Sequence, residues 1–549
     1  MAQERRASSL RAIAARWRPL NEAAFRWCVA GARQSLAGGA LESALRWSAL
    51  AVMTGTLHGF GRLAAPELER ILLSAAARLP CRLPDRAPRS GPLRWLHVMD
   101  EENTIGGDIS FALRWMELDA RDHRHSVVLL SQRNREGRLA EATSASGGAV
   151  TALDPDTPLT ERADRLRRQA WEHADRVVLW ALWSVVPVVA LGIAGGPPVT
   201  LLNQASQVFW VGGSVADLVV NLRGSARRWS ESYRGIDRNA VVPVPLPDVA
   251  VEPISAERRL AARRALHLPS SATMLLTIGN AYKYRPLPGI DFLDAVDAVL
   301  RARPDVHLVA VGPIDDQRWA ALRSAAGGRV VTAGPQTDLG PYHLAADLYL
   351  EGFPVGSPTA FLEVAQLGIP CVRAPRMIPP PFVIDSPALE GLAQPADVAD
   401  YVRTVIALVD DPDARSRQGG ALAAAVRRHH SPAPWRRALA AALASLPPRH
   451  AVYPLEGAAP LPGALRDFSA AVPTFVAEHE PLPFVLAGLQ VCGLRPPPSL
   501  ALARLLWRSV RADPGGAFAG RRDLGALLEP FIGARARRMI RRVVRNRRP

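Results

Sequence analysis

Leu93-Arg94-Trp95-Leu96-His97-Val98-Met99 is an apolar run of strand length, and shortly after it Gly106-Gly107-Asp108 opens a helical stretch from Ile109 to about Leu118. A second run, Ser126-Val127-Val128-Leu129-Leu130, follows. Short apolar strands alternating with helical stretches spell parallel βαβ units, because a sheet covered by helices is buried on both faces and its strands need not alternate in polarity. The texture restarts at Ala272-Thr273-Met274-Leu275-Leu276-Thr277-Ile278-Gly279, continues in a helical stretch from about Asp291 to Arg301, and repeats at Val306-His307-Leu308-Val309-Ala310-Val311-Gly312. Between the halves, Val241-Val242-Pro243-Val244-Pro245-Leu246-Pro247 carries three prolines in five residues, which suits a stiff linker. Two α/β halves facing each other enclose a cleft at the carboxyl ends of their strands, where ligands of open α/β sheets bind.

Around this α/β core the chain divides into a helical region over 1–91, a first Rossmann-like unit over 92–247, a second over 248–440 and a helical extension over 441–549. In the first region Trp17, Phe25, Trp27, Leu41, Leu45, Trp47 and Leu50 recur at threes and fours with arginines between them. A Pro-rich break, Pro80 through Pro92, ends it. Val177 to Ala194 is apolar enough to invite a transmembrane reading. Pro187 interrupts it and Gly195-Gly196-Pro197-Pro198 leads into a further apolar run, Val199 to Leu202, so a buried strand, a short helix and another buried strand are expected.

The 549 residues are 48% hydrophobic and 21% charged, the balance of an ordered globular chain. The net charge of +16 is concentrated in the tail, where eight arginines between Arg535 and Arg548 alternate with Met539, Ile540, Val543 and Val544 at helical spacing. That pattern predicts a helix lying on an anionic membrane surface rather than a nucleic-acid site; a solvated cationic tail would read the same. Cys28, Cys81, Cys371 and Cys492 are too far apart for a disulfide framework or a zinc site. A cytoplasmic protein, able to attach to the inner face of the membrane, is expected.

Lys283 is the only lysine, so 66 of the 67 basic residues are arginine. Its survival in Gly279-Asn280-Ala281-Tyr282-Lys283-Tyr284-Arg285-Pro286, a loop after a strand, points to a compact point charge on a diphosphate. In Leu350-Glu351-Gly352-Phe353-Pro354-Val355-Gly356-Ser357-Pro358-Thr359-Ala360-Phe361-Leu362-Glu363, Gly356, Ser357 and Thr359 lead into an apolar helix, whose free N–H groups and hydroxyls form an anion site. Glu363, one turn in, is placed to accept hydrogen bonds from a ribose; an ordinary N-cap with a first-turn acid gives the same pattern. Asp108 is a candidate general base or substrate ligand, and equally a first-turn acid complementing a helix dipole. His97, His123 and His125 lack metal spacing and are read as structural.

Leu96-His97-Val98 through Ile105-Gly106-Gly107 resembles the opening of family 4 glycosyltransferases, and Glu351-Gly352-Phe353 through Glu363, closed by Gly368-Ile369-Pro370, resembles their donor-binding segment. The likeness spans roughly residues 93 to 440. It implies the GT-B fold, two facing Rossmann-like domains, here with helical extensions at both ends. It also implies a nucleotide-diphosphate sugar donor with Lys283 and Arg285 on the diphosphate, Ser357 and Thr359 capping it and Glu363 on the ribose. Gly106, Gly107, Gly279, Gly312 and Gly356 would line the donor site, and Asp108 and Glu351 are the candidate catalytic carboxylates. No metal and no cofactor are expected, since cations and a helix end neutralise the leaving diphosphate.

Two features depart from the family pattern. Glu351 and Glu363 stand twelve positions apart, wider than usual, and the intervening Gly-Ser-Pro-Thr is similar to the loop of O-linked N-acetylglucosamine transferases, which leaves the anomeric outcome open. Asn203-Gln204-Ala205-Ser206-Gln207-Val208-Phe209-Trp210 resembles a segment that carries histidines in related bacterial enzymes. The expected activity is sugar transfer to a hydroxyl of a glycan or lipid-linked acceptor, in cell-surface polysaccharide or glycolipid synthesis. A catalytically silent relative that binds nucleotide sugar or a partner transferase is the alternative, and a nucleotide-sugar epimerase the third reading.

Overall fold

Val177-Val178-Leu179 and Val199 through Leu202 present apolar side chains on both faces of an extended backbone, so both can lie only in the middle of a covered sheet. In the computed structural model, which describes residues 2–80, 83, 91–102, 107–248, 254–313, 316–472 and 481–494, they do. Gly106 and the arginine tail fall outside those residues. Three helices, α1 (Ala2–Ala37), α2 (Leu41–Leu57) and α3 (Pro66–Arg78), come first. The first α/β unit runs β1 (Arg94–Met99), α4 (Gly107–Asp119), β2 (Arg124–Leu129), α5 (Arg138–Ala145), β3 (Val150–Ala152), α6 (Leu159–His173), β4 (Arg176–Leu179), α7 (Val186–Leu191), β5 (Val199–Asn203), β6 (Leu218–Asn221), α8 (Gly224–Arg234) and β7 (Asn239–Val241). The second runs α9 (Ala256–Ala265), β8 (Thr273–Ile278), α10 (Phe292–Ala302), β9 (Val306–Val311), α11 (Gln317–Ala325), β10 (Val330–Gly334), α12 (Gly340–Ala345), β11 (Leu348–Leu350), α13 (Pro358–Gln366), β12 (Cys371–Val372), α14 (Val398–Asp410) and α15 (Pro412–His430). Helices α16 (Pro432–Leu443), α17 (Gly463–Ala471) and α18 (Pro481–Val491) follow.

Both sheets are parallel and doubly wound, in the orders β3-β2-β1-β4-β5-β6-β7 and β10-β9-β8-β11-β12. This is the GT-B arrangement. Strand order reverses between β1 and β4 in the first sheet and between β8 and β11 in the second, and a crevice opens where connections leave a sheet in opposite directions. The stretch 177–194 forms the end of β4, a connection and α7; among the described residues no helix is long and apolar enough to cross a membrane.

The helices before β1 are part of the first unit. Their apolar faces join one face of the first sheet in a single cluster, with Phe25 stacked on Phe60 at 4.4 Å and Phe209 edge-on to Phe25 at 5.3 Å. Arg167 fastens them: its buried guanidinium donates to the carbonyls of Ala76 (2.9 Å), Leu79 (3.3 Å), Val189 (2.8 Å) and Ala190 (2.8 Å). A second cluster covers the opposite face of the first sheet and continues into the second unit, and a third fills the far side of the second. Two of the histidines read as structural are buried and bonded together: Trp180 Nε1 donates to His97 Nδ1 at 3.1 Å, which makes His97 Nε2 the donor to His125 Nδ1 at 3.0 Å.

After α15 the chain returns to the first unit. Helix α16 lies against β6 and β7, Trp435 meets Trp115 of α4 at 5.9 Å, and Arg436 donates to Leu118 O at 2.6 Å. Further on, His450 is held between Asp217 (2.7 Å) and Leu191 O (2.7 Å), and α17 packs on α1. Trp435 is 1% exposed, so its truncation leaves a cavity between α16 and the first unit. Trp435→Ala is expected to lower stability to denaturant by about 3–5 kcal/mol; a loss below about 1 kcal/mol would show the returning helix to be dispensable.

Candidate functional site

The second sheet ends in closely approaching glycines. Gly312 has φ +105°, and a Cβ there would lie 2.3 Å from Gly279 O; a Cβ on Gly279 would lie 2.8 Å from Ser357 Oγ. The missing side chains let the ends of β8 and β9 and the start of α13 converge. A 3-10 turn over 281–284 then brings Lys283 back over Gly279. The turn is anchored by Tyr284, whose buried ring packs on Phe292 and Trp319 and whose Oη is 3.0 Å from Thr277 Oγ1.

Lys283 Nζ donates to Gly356 O at 3.1 Å and to Ser357 Oγ at 3.0 Å. Burial pushes its ammonium down to about 8 from the ordinary 10.5, and the Arg223 charge adds to this. Ser357 is the N-cap of α13, Pro358 its first residue, and the first helical bond runs from Phe361 N to Ser357 O. The leading N–H groups of α13 therefore lack intrahelical acceptors and face the same space as the ammonium, an arrangement that selects anions.

That space is a cavity of about 240 Å³. The second unit contributes Gly279, Asn280, Lys283, Gly312, Ser357 and Thr359, along with Pro335, Gln336, Thr337 and Leu339; the first contributes Gly107, Ser110 and Arg138. A Cβ on Gly107 would lie 3.5 Å from Thr359 Oγ1, so the first turns of α4 and α13 nearly touch. Of the expected donor-site residues, Gly107, Gly279, Lys283, Gly312, Ser357, Thr359 and Glu363 share this cavity.

The others stand elsewhere. Glu351, expected as a catalytic carboxylate, is fully buried and does not line the cavity. Its two oxygens accept the N–H groups of Ile384 and Ala374, each at 2.8 Å, and a Cβ on Gly356 would lie 2.5 Å from Oε1. Burial pushes this carboxyl up to about 7, opposed by those N–H groups and by Arg373 and Arg223. Glu351 thus shapes the loop that carries Ser357, and Gly356 is a glycine to make room for it. Glu363 lines the cavity, but its carboxylate pairs with Arg114 of α4. Arg285 is half-buried and not in the cavity wall. Asp108, on the first turn of α4 between Gly107 and Ser110, is half-buried and not itself in the wall. Asp100, just beyond β1, is raised to about 7 by burial and then by the charges of Glu101 and Asp108.

Sequence reading missed Arg138 and Ser110, and the clasp between the units. Arg138 is one arginine among 66, and no spacing marks it. The clasp consists of Arg114 with Glu363, Arg223 donating to Val383 O (3.1 Å), and Ser225 donating through N (3.0 Å) and Oγ (2.8 Å) to Asp385. In the stretch that resembles a histidine-bearing segment of related enzymes, Gln204 donates to Trp180 O at 3.3 Å, and Asn203 bonds Asn221 at 2.7 Å and Trp210 Nε1 at 3.1 Å.

Glu351→Gln sets an amide N–H₂ against a backbone N–H and removes a charge facing two arginines; we expect a loss of about 1–3 kcal/mol in denaturant unfolding, and an unchanged midpoint would contradict the bracing role. Lys283 titrates lower in the folded state than in the unfolded. The unfolded chain therefore binds more protons between about 8 and 10.5, and stability should rise with pH across that window. Lys283→Met should flatten this rise, whereas an identical pH profile would refute it.

Over residues 272–411 the sequence matches the family described as Glycosyl transferases group 1. Comparison with curated proteins finds no match. Among solved structures, a mutant O-GlcNAc transferase of Thermobaculum terrenum is 15% identical, over 76% of this chain and 80% of that one, with a TM-score of 0.46. HepE of Anabaena in complex with UDP and glucose is 14% identical, over 64% of this chain and 99% of that one, with a TM-score of 0.48. A glycosyltransferase of Rickettsia africae is 11% identical, over 65% and 99%, with a TM-score of 0.48. The second α/β unit, which supplies most of the cavity wall, thus carries the sequence pattern of the group 1 glycosyl transferases, and the chain resembles the glycosyltransferases of GT-B fold.

Proposed function

We propose that this chain transfers a sugar from a nucleotide-diphosphate donor to an acceptor hydroxyl. The observation that carries the reading is the meeting of one half-buried ammonium, Lys283, with the hydroxyl of Ser357 and the open N-terminus of α13, in a cleft at the carboxyl ends of two parallel sheets. In the reaction the acceptor oxygen bonds to the anomeric carbon as that carbon's bond to the diphosphate breaks. The electron pair leaves with the nucleoside diphosphate, whose growing charge Lys283, Ser357, Thr359 and the α13 dipole stabilise without reorganising. These groups need no metal to do so. We assign the acceptor side to the first turn of α4, with Gly107 and Ser110 in the cavity wall, and removal of the acceptor proton to Asp108, which lies just behind that wall and would have to turn toward the acceptor. Arg138 opens onto the same cavity and supplies a second cation. Glu363, paired with Arg114, holds the ribose with its remaining acceptor capacity. The acceptor class we favour is a membrane-associated glycan or glycolipid, on the strength of the arginine-rich tail.

A thermal-shift screen of nucleoside diphosphate sugars tests the donor site. A ligand at a hundred times its Kd stabilises the folded state by about 2.7 kcal/mol, and this shift should appear for one nucleotide class and vanish in Lys283→Ala. Donor affinity should fall as pH rises through about 8, where the ammonium loses its proton. No shift with any donor would remove the proposal. Gln204 and Gln207 stand in a segment where related bacterial transferases carry histidines, which favours a second reading, a nucleotide-sugar binder without turnover. Slow donor hydrolysis by the wild type, reduced at least tenfold in Asp108→Asn with donor KM unchanged, would exclude it; a donor that binds and is never cleaved would establish it.

A further inference from the structure

A second cavity, of about 370 Å³, lies away from the cleft between α1 and α17. Three arginines line it, Arg11 and Arg18 of α1 and Arg466 of α17, with one acid, Asp467, whose carboxylate is 3.9 Å from Arg11 Nε. Arg18 and Arg466 run side by side over Gly61: a Cβ there would lie 2.7 Å from Arg466 Cγ and 3.5 Å from Arg18 Cδ. The Nε atoms of Arg18 and Arg466 are buried and have no hydrogen-bond partner among the described residues. Other interior arginines among the described residues are spent on acceptors. Arg94 grips Asp175, Arg167 takes four carbonyls and Arg234 takes three. Arg162, Arg234 and Arg373 also have an unpartnered Nε, but the terminal nitrogens of the first two are bonded, and Arg373 faces the Glu351 and Asp385 carboxylates.

The wall of the cavity is completed by the first residues of α17, Gly463 and Ala464. That helix starts after Pro462 with no side-chain cap, and its first bond runs from Arg466 N to Pro462 O at 2.8 Å. Uncapped N–H groups and the positive end of a helix dipole therefore face the same space as the arginines. Like charges converge here with one carboxylate between them, and planar guanidinium forks match the oxygens of a phosphoryl group.

From this convergence we infer that the α1–α17 cavity is a binding site for a phosphate-bearing anion, separate from the donor cleft. At about 30 Å³ per water its volume equals that of roughly a dozen waters, so a phosphoryl group fits with a substituent attached. The site touches the donor loop through packing. Phe468 of α17 lies 5.0 Å from Phe382, whose carbonyl accepts Gly356 N at 2.8 Å, one residue before Ser357. The anion is either a free phosphorylated solute or the headgroup of a phospholipid.

The test uses the full chain carrying Lys283→Ala, so that the cleft does not take up the probe. Inorganic pyrophosphate is titrated calorimetrically, and co-sedimentation is measured with phosphatidylglycerol and with phosphatidylcholine vesicles. Adding Arg18→Gln and Arg466→Gln should weaken pyrophosphate binding at least tenfold. A parallel loss of phosphatidylglycerol binding identifies a lipid headgroup, and unchanged vesicle binding identifies a free solute. Arg11→Gln, whose side chain is 77% exposed, is the variant that leaves the interior untouched, and it should weaken binding several-fold. No detectable pyrophosphate binding, or binding that these changes leave unaltered, overturns the assignment. If the double change prevents folding, an unaltered affinity in Arg11→Gln does so alone.

Discussion

The carboxylate of Glu351, shut away from solvent at the end of β11, holds together the parts on which the candidate site depends. One oxygen takes the N–H of Ala374, just past β12, and the other that of Ile384. A buried acceptor of this kind is costly to leave unsatisfied, so the two segments are held to it. The residue after Ile384 is Asp385, which grips Ser225 at the start of α8. Two residues before Ile384 is Phe382, which packs on Phe468 and accepts Gly356 N. One side chain thus sets the loop that presents Ser357, the contact with the first unit and the seat of α17.

The orientation of the two units is fixed in the same indirect way. The middle apolar cluster runs from β1 and α4 through to β8, β11 and α13, and α16 returns to press Trp435 against Trp115. Polar ties at the edges of that cluster, Arg114 with Glu363 and Arg223 with Val383, set the register of one unit on the other. Because the cavity wall is drawn from both units, its shape follows from these contacts as much as from its own residues. The near-absence of lysine gives arginine the bracing work here. A guanidinium can serve several carbonyls at once, as Arg167 does between α3 and α7.

Much of the architecture was legible in the chain. The strands β1, β2, β8 and β9 fall on the apolar runs, because a covered parallel strand needs apolar side chains on both faces, and little else in a sequence looks like that. Gly279, Gly312 and Lys283 were legible too, since a glycine after a strand and a lone lysine in its loop are local signals. The carboxylates were not. Glu351 and Glu363 carry similar local patterns, yet one is sealed beneath the loop and the other is in the cavity wall, bonded to an arginine 249 residues away.

The sequence by itself determined two parallel α/β units, the glycine-lined strand ends and a solitary ammonium among arginines, because strand burial, turn conformation and side-chain chemistry are properties of neighbouring residues. Only the tertiary structure decided which acids face the cleft, that Arg138 and Ser110 join its wall, and that Arg18 and Arg466 meet over Gly61. Those outcomes depend on burial and pairing between residues hundreds of positions apart, and a chain's order along its backbone holds no record of which distant partner arrives.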